Sequence, residues 1–266
     1  MSVNLYRMET VTNLHVGDMG EAFSVVDKAV QRDAVTGFPS VYATSLKGAL
    51  RAEAEKDSGV KGIVDVIFGY DVDNEKSSKG SYRFNDMHLL FYPIRSNKRP
   101  YYLATCPAMI NDAVRMCMLS GCKCAKDKLT ALLNKETNVL YCRNSEHSTQ
   151  AEAEDVLLKT VNADSDIESI LASWLPGEPG IIIFDDRTMA GALEVLPIVA
   201  RNQLKSGISK ALWYEEFVPR KSVFLTMISS EDGISDKFDR FITREECIQI
   251  GANATVGYGV CKFSKM

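Results

Sequence analysis

The segment from Val25 to Arg51, VVDKAVQRDAVTGFPSVYATSLKGALR, constrains this chain more than any other. A polar loop carrying Asp27, Gln31, Arg32 and Asp33 leads into a turn and short strand at TGFPSVYA, and TSLKGALRAEAE then opens a helix. Leu46, Ala49 and Leu50 fall on one helical face, with Thr44 or Ser45 as the N-cap. Lys47 and Arg51 are four apart and share the edge beside that face. A helix N-terminus with free N–H groups, the Ser45 hydroxyl and two cations close by suits a phosphate. An ordinary amphipathic helix with a solvated basic edge has the same pattern.

Asp27 follows Phe23, Val25 and Val26 and precedes a loop without periodicity, so it lies where an element ends. An isolated loop carboxylate is ordinarily solvated. Beside a nucleic-acid backbone it can instead hold a divalent metal such as Mg2+ or orient an attacking hydroxyl. Upstream, VNLYRMETVTNLHV reads as the first strand and ends at His15. A histidine there is either a hydrogen-bonded loop residue or a general base with the right pKa range.

The 266 residues, 45% of them hydrophobic, suffice for one large domain with insertions. No charged and then apolar leader opens the chain and no apolar run reaches membrane-spanning length, so a cytoplasmic location away from membranes is expected. Seven scattered cysteines, an odd number, argue for reduced thiols. The net charge of −4 argues against a nucleic-acid binder taken whole. Its distribution reverses that conclusion. Glu146 to Glu178 holds eight acids against the single cation Lys159, whereas Arg83 to Arg99 and Arg201 to Lys221 are each net basic, so a basic groove can exist on an acidic molecule.

Further along, Asp71 to Gly80 reads as a mobile polar loop and Met87 to Ile94 as a buried strand. A helix follows with Pro107 in its first turn. Composition shifts between residues 120 and 179, which suggests an inserted subdomain. In and just before this part of the chain, Cys117, Cys122, Cys124, Cys142 and His147 supply zinc-ligand types without CxxC spacing, and free buried thiols are the simpler reading. IIIFDD is a buried strand ending in Asp185 and Asp186, either a metal pair or exposed acids at a strand end. FDRFITREECIQIG reads as a late helix closed by Gly251. In GANATVGYGVCKF, Gly257 and Gly259 flank Tyr258; the glycines allow either a close phosphate approach or a turn into an edge strand.

VVDKAVQRD, GFPSVYATSLKGALR, FYPIRS with TCP after it, LPIVARNQL, LWYEEFVPR and the terminal NATVGYGVCKF together resemble the RAMP superfamily. Within it they resemble the repeated backbone subunits of type III-B CRISPR (Cmr) effector complexes, in the same order over nearly the whole chain. The resemblance implies an α+β fold: a ferredoxin-like, RRM-type antiparallel sheet with helices on one face, insertions, and a β-hairpin thumb at about residues 200–222. It implies binding of CRISPR RNA beside further Cmr subunits and further copies of the same chain in a helical filament. It also implies cleavage of complementary single-stranded target RNA at regular intervals. Asp27 would act there as the catalytic residue with a transient divalent cation, and His15 as support. Ser45, Lys47, Arg51, Arg201, Asn202, Lys205 and the Gly257, Tyr258, Gly259 loop would contact RNA. Arg201, Asn202, Lys205 and Lys210 suit phosphates, while Leu212, Trp213 and Tyr214 suit a base; Glu215 and Glu216 would pair with arginines or face a neighbouring subunit. The family's leading glycine pair is here Gly251 followed by Ala252, which weakens that loop contact. A purely structural backbone role and a repeat-processing nuclease built on His15 are the alternatives.

Overall fold

The computed structural model describes residues 2–18, 26–72, 76–143 and 150–266. Its strands are β1 (Ser2–Thr10), β2 (Ser40–Val41), β3 (Gly69–Val72), β4 (Lys76–Lys79), β5 (Tyr82–Phe84), β6 (Met87–Ile94), β7 (Tyr102–Thr105) and β8 (Val139–Cys142). They continue with β9 (Ala151–Ala153), β10 (Val156–Asn162), β11 (Gly180–Ile183), β12 (Ile198–Lys205), β13 (Ile208–Glu216), β14 (Val223–Ser230), β15 (Ile248–Gln249) and β16 (Val260–Lys265). The helices are α1 (Ala43–Ala54), α2 (Val64–Phe68), α3 (Pro107–Ser120), α4 (Lys123–Leu133), α5 (Ser165–Ser173), α6 (Asp186–Glu194) and α7 (Asp236–Ile242).

Twelve of the described strands form one sheet in the order β15-β16-β1-β14-β6-β7-β11-β8-β10-β9, with β2 on β6 and β5 on β14. It is mixed, contrary to the expected antiparallel sheet, because β7 runs parallel to β11 and β8 parallel to β10. Each of these pairs is joined through helical or long connections, as parallel pairing requires. The quartet β16-β1-β14-β6 is antiparallel throughout.

Alternation along the strands sends side chains into two cores. In β11, Ile182 faces one and Ile181 and Ile183 the other; in β14, Phe224 and Ile228 oppose Val223 and Leu225. Helices α1, α2, α6 and α7 fill the first core through residues such as Leu46, Leu50, Ile67, Met189 and Phe238. The second core takes Ile110 and Ala113 of α3, Leu129 of α4 and Ile170 of α5. Helices therefore cover both faces and not one, which explains why β6 and β11 read as nearly continuous apolar runs.

Segment 120–179 also departs from expectation. Its strands β8, β9 and β10 extend the main sheet instead of forming a separate one, and its helices share the second core with α3. The first strand ends at Thr10, short of His15. The late helix stops at Ile242, after which Ile248–Gln249 pair with β16. Part of the expected polar loop between Asp71 and Gly80 forms the ribbon β3–β4. The strand over Met87–Ile94 and the helix beginning at Pro107 match the sequence reading.

The N-cap of α1 is neither Thr44 nor Ser45 but Tyr42, whose own side chain makes no capping bond. The free donors are met from elsewhere: Asp86 accepts from the Ala43 N–H at 2.6 Å, and Gln31 Oε1 from the Tyr42 N–H at 2.8 Å. Leu46, Leu50 and Ala54, spaced four apart and buried, hold α1 on the sheet, at about 1.5–3 kcal/mol for each leucine.

Candidate functional site

β12 and β13 form a two-stranded ribbon outside the main sheet, with register from Ile198↔Glu216 to Lys205↔Ile208. This hairpin over 198–216 overlaps the segment 200–222 in which a hairpin was expected. Its far end is exposed and its root is gripped by the loop that carries Asp27. Lys28 donates its N–H to Tyr214 O at 3.1 Å, and Glu216 donates its N–H to Lys28 O at 2.9 Å, so the loop adds beside β13 in parallel. In that register the Tyr214 N–H points at Asp27 and donates to Oδ2 at 2.7 Å. Asp27 itself is exposed and forms no ion pair among the described residues. One carboxylate oxygen, Oδ2, is thus fixed by backbone on an exposed residue.

Beneath Asp27 lies Glu215, whose side chain is 2% exposed. Its carboxylate accepts from Trp213 Nε1 at 2.6 Å, Asn253 Nδ2 at 2.8 Å, Lys28 Nζ at 3.1 Å and Arg201 Nε at 3.2 Å. Burial alone raises a carboxyl pKa; here the four donors, led by Trp213, outweigh it and hold Glu215 down at about 2. The carboxylate is therefore ionised at every physiological pH and ties the Asp27 loop, both strands of the hairpin and the C-terminal loop to one point. Glu216 does the same on the other face, accepting from Arg32 at 2.7 Å and from the Val30 N–H at 3.0 Å. Both glutamates thus pair with arginines, as their setting in the sequence suggested.

His15 lies inside this assembly, only 3% exposed, with Nδ1 2.7 Å from the Glu216 carbonyl oxygen. Its backbone oxygen accepts from the Ala252 N–H. The ring packs and hydrogen-bonds within the protein and, being buried, offers no face to a substrate. Arg201 is also committed inward: besides Glu215, its guanidinium lies 4.8 Å from the centre of the Tyr258 ring, which meets Phe217 edge to face. This stack welds the hairpin to the C-terminal loop.

The glycines of that loop serve the protein's own backbone. Gly259 has φ +78°, and a Cβ there would stand 2.0 Å from Ile250 O; Gly251, at φ +76°, would meet His15 O at 2.4 Å. The close approach that the sequence reading gave to a phosphate is, at Gly259, made by Ile250. Gly257 also has a positive φ, with open space around it.

The remaining predicted residues separate clearly. Arg51 donates to Gly69 O at 2.8 Å and Glu55 at 2.9 Å and lies 3.6 Å from Asp65, so it braces α1 against β3. Lys47, half-buried on the same helix, has no ion-pair partner among the described residues. Ser45 accepts from Gln31 Nε2 at 2.9 Å, which links α1 to the Asp27 loop. Asn202 accepts from Ser209 within the hairpin, and Lys205 stands exposed near its tip. Sequence reasoning missed Lys28, Asn253 and the Tyr214 amide, and nothing local marks them, because their roles exist only once four distant segments meet.

Asp185 and Asp186 are caps: Asp185 accepts from the Thr188 N–H at 2.7 Å and from Asn138 at 2.6 Å, and Asp186 from the Ala108 N–H at 2.8 Å. All seven cysteines are free. Among the described residues no group of three or more metal-ligating side chains converges; His147, of the suggested zinc set, lies outside them. A lone exposed carboxylate matches a hard cation that takes one or two protein ligands and completes its shell with phosphate oxygens and water. It does not match a stable all-protein cage. No helix among the described residues is long and apolar enough to cross a membrane.

A family model described as the RAMP superfamily matches residues 7–262. The chain is 29% identical over 286 residues to the CRISPR system Cmr endoribonuclease Cmr4 of Pyrococcus furiosus, covering 98% of this chain and 95% of that protein. It is 24% identical to the CRISPR system CMR subunit Cmr4 of Saccharolobus solfataricus, covering 97% and 94%. Among solved structures it is similar to a chain of the type III-B Cmr-beta complex bound to cognate target RNA, with a TM-score of 0.79 at 21% identity over 100% of this chain and 97% of that one. It is also similar to oligomeric Cmr4 from Pyrococcus furiosus, with a TM-score of 0.70 at 24% identity over 100% and 98%. At those identities the structural likeness is one of fold.

Proposed function

This chain belongs to the RAMP superfamily, and on that premise we propose that it is a backbone subunit of a type III-B CRISPR effector complex. It binds the CRISPR RNA in several stacked copies beside other Cmr subunits in the cytoplasm and cuts complementary target RNA at Asp27. The observation that carries this reading is the Asp27 carboxylate: exposed, held at one oxygen by the Tyr214 amide, and set at the root of a projecting hairpin. Full-length similarity to a Cmr endoribonuclease supports the same activity.

The chemistry is an attack by the 2′-hydroxyl of one target nucleotide on its own 3′-phosphate. A 2′-O–P bond forms, the bond to the next 5′-oxygen breaks as that oxygen takes a proton from water, and the products end in a 2′,3′-cyclic phosphate and a 5′-hydroxyl. Such an attack needs the ribose held in line. The hairpin supplies that constraint by entering between nucleotides, while Tyr214, 44% exposed and opposite the small Ala200, offers a ring on which a base can stack. Asp27, kept in place by the Tyr214 amide and by Lys28 anchored to Glu215, orients the hydroxyl and accepts its proton. Asp27 would hold a divalent cation, and the chemistry it would supply there is charge stabilisation of the reacting phosphate. Lys47 provides a further phosphate contact, with Ser45 and Asn202 beside the strand. Specificity comes from pairing to the guide, so backbone contacts suffice.

The same premise extends to the fold. We read β1, α1, β6, β14, α7 and β16 as a ferredoxin-like unit, supported by the antiparallel order β16-β1-β14-β6 and by α1 and α7 packing into one core. Residues 95–222 are then an insertion between its second and third strands. A repeat-processing nuclease built on His15 is disfavoured by the burial of that ring. The test is target-RNA cleavage by the assembled complex with Asp27→Ala: guide binding should persist while cutting at the regular sites disappears. Undiminished cutting would leave a structural backbone and remove the catalytic role.

A further inference from the structure

Helices α3 and α4 are joined by Gly121 and Cys122 alone. Gly121 has φ +72°; its N–H donates to Met118 O at 3.3 Å, and the Cys122 N–H donates to Cys117 O at 3.0 Å. This pair of bonds is the Schellman closure of a helix, which brings a residue of the last turn and the residue just past the glycine side by side. Here both are cysteines, Cys117 and Cys122. A backbone hydrogen bond of 3.0 Å between them keeps their Cα atoms no more than about 6–7 Å apart, against the roughly 4.4–6.8 Å that disulfides span. Their side chains also share a core: Cys117 is 1% exposed within it, and the half-buried Cys122 packs against its edge. Burial, and after it the nearby Cys122, push the Cys117 thiol up to about 12.

Neighbouring cysteines are placed differently. Cys124 is exposed in the first turn of α4, and residues two apart on a helix do not face each other, so it is turned from Cys122. Cys261 stands opposite Ile248 in the β15–β16 register, which leaves Cys247 one position out of step, where side chains alternate to the other face.

We infer that Cys117 and Cys122 form a dithiol modification site, oxidised reversibly to a disulfide by low-molecular-weight disulfides of the glutathione class. The half-buried Cys122 reacts first: its sulfur bonds to one sulfur of the small disulfide, the S–S bond of that molecule breaks, and one small thiol leaves with the Cys122 proton. Cys117 sulfur then attacks the Cys122 side of the mixed disulfide, and the second small thiol leaves with the Cys117 proton. Two protein thiols are oxidised and one small disulfide is reduced to two thiols. The second step is the slower, because burial holds Cys117 as the neutral thiol. The product pins the end of α3 to the start of α4. Under a reducing poise the pair stays open and serves as the apolar contact of the corner.

The experiment equilibrates the full-length chain in buffers of reduced and oxidised glutathione, quenches with acid, alkylates the remaining thiols and maps tryptic peptides by mass spectrometry. Trypsin cuts after Arg115 and Lys123, so residues 116–123 leave as one peptide holding both cysteines and Cys124 leaves in the next. As the buffer becomes more oxidising, peptide 116–123 should lose two hydrogens and both alkylation sites together, and dithiothreitol should restore them. Closing so short a loop should also raise Tm by about 4 °C. Cys117→Ala should stop the reaction at glutathione on Cys122, and Cys122→Ser should leave Cys117 unmodified. Circular dichroism verifies folding, and Cys122→Ser, at a half-buried position, carries the test if Cys117→Ala does not fold. A parent peptide 116–123 that stays fully alkylated overturns the inference. So does a bond to Cys124 formed in preference, glutathione on Cys117 in the Cys122→Ser variant, or a Tm lowered by oxidation.

Discussion

Replacing Glu215 by glutamine should remove the charge that joins four segments while keeping the side chain's size. The pKa falls from the usual 4.5 to about 2 on folding; at about 1.4 kcal/mol per pKa unit this amounts to ~3 kcal/mol of stability near neutral pH. Little is to be discounted for solvent, because the side chain is 2% exposed, and glutamine also leaves Arg201, itself 23% exposed, without its anion. A loss of ~3 kcal/mol corresponds to roughly 6–10 °C in Tm for a domain of this size. Since folding lowers this pKa, the stabilisation is complete above 4.5 and is lost as pH falls toward about 2. The gap between parent and Glu215→Gln should therefore be nearly constant from pH 8 to 5 and shrink to about half at pH 3. Urea denaturation followed by circular dichroism at pH 7, 5 and 3 measures it directly. A gap below 1 kcal/mol at pH 7, or one of equal size at pH 7 and pH 3, refutes the account of Glu215 as an ionised tie.

Two further outcomes follow from the same geometry. Gly259→Ala combines a left-handed φ with a Cβ 2.0 Å from Ile250 O, so it should cost at least ~2–3 kcal/mol in urea unfolding and loosen the C-terminal loop; a neutral effect would contradict the close approach. Lys47→Ala should lower the salt dependence of RNA binding in the assembled complex by roughly one phosphate contact, a slope change near 0.7, whereas Arg51→Ala should leave that slope unchanged because its guanidinium is already paired within the protein. Equal slope changes for the two variants would show that α1 presents a different edge to RNA.

Where the physics is local, the sequence anticipated the structure. The apolar run at Met87–Ile94 and Pro107 at the first position of α3 both depend on neighbours within a few positions. The carboxylate at Asp27 was also visible as an unexplained polar residue at an element's end. The late helix was overextended because Ile248 and Gln249 satisfy their backbone by pairing with β16, which overrides a weak helical pattern. The α1 cap was misassigned because Asp86 and Gln31 do the work from distant loops.

The sequence alone determined the strand over Met87–Ile94, the helix that opens at Pro107 and which family pattern the chain follows, and that pattern implied a hairpin near residue 200. Only the tertiary structure decided which cations are available. Arg201 looks like a phosphate ligand in the sequence but is drawn inward, because burying Glu215 beside Trp213 and Asn253 demands positive partners, and Arg51 is paired at the surface, where it braces α1 to β3. A buried carboxylate must be satisfied by whatever donors the fold brings within about 3 Å, and that set combines positions 28, 201, 213 and 253, a convergence that no window along the chain contains.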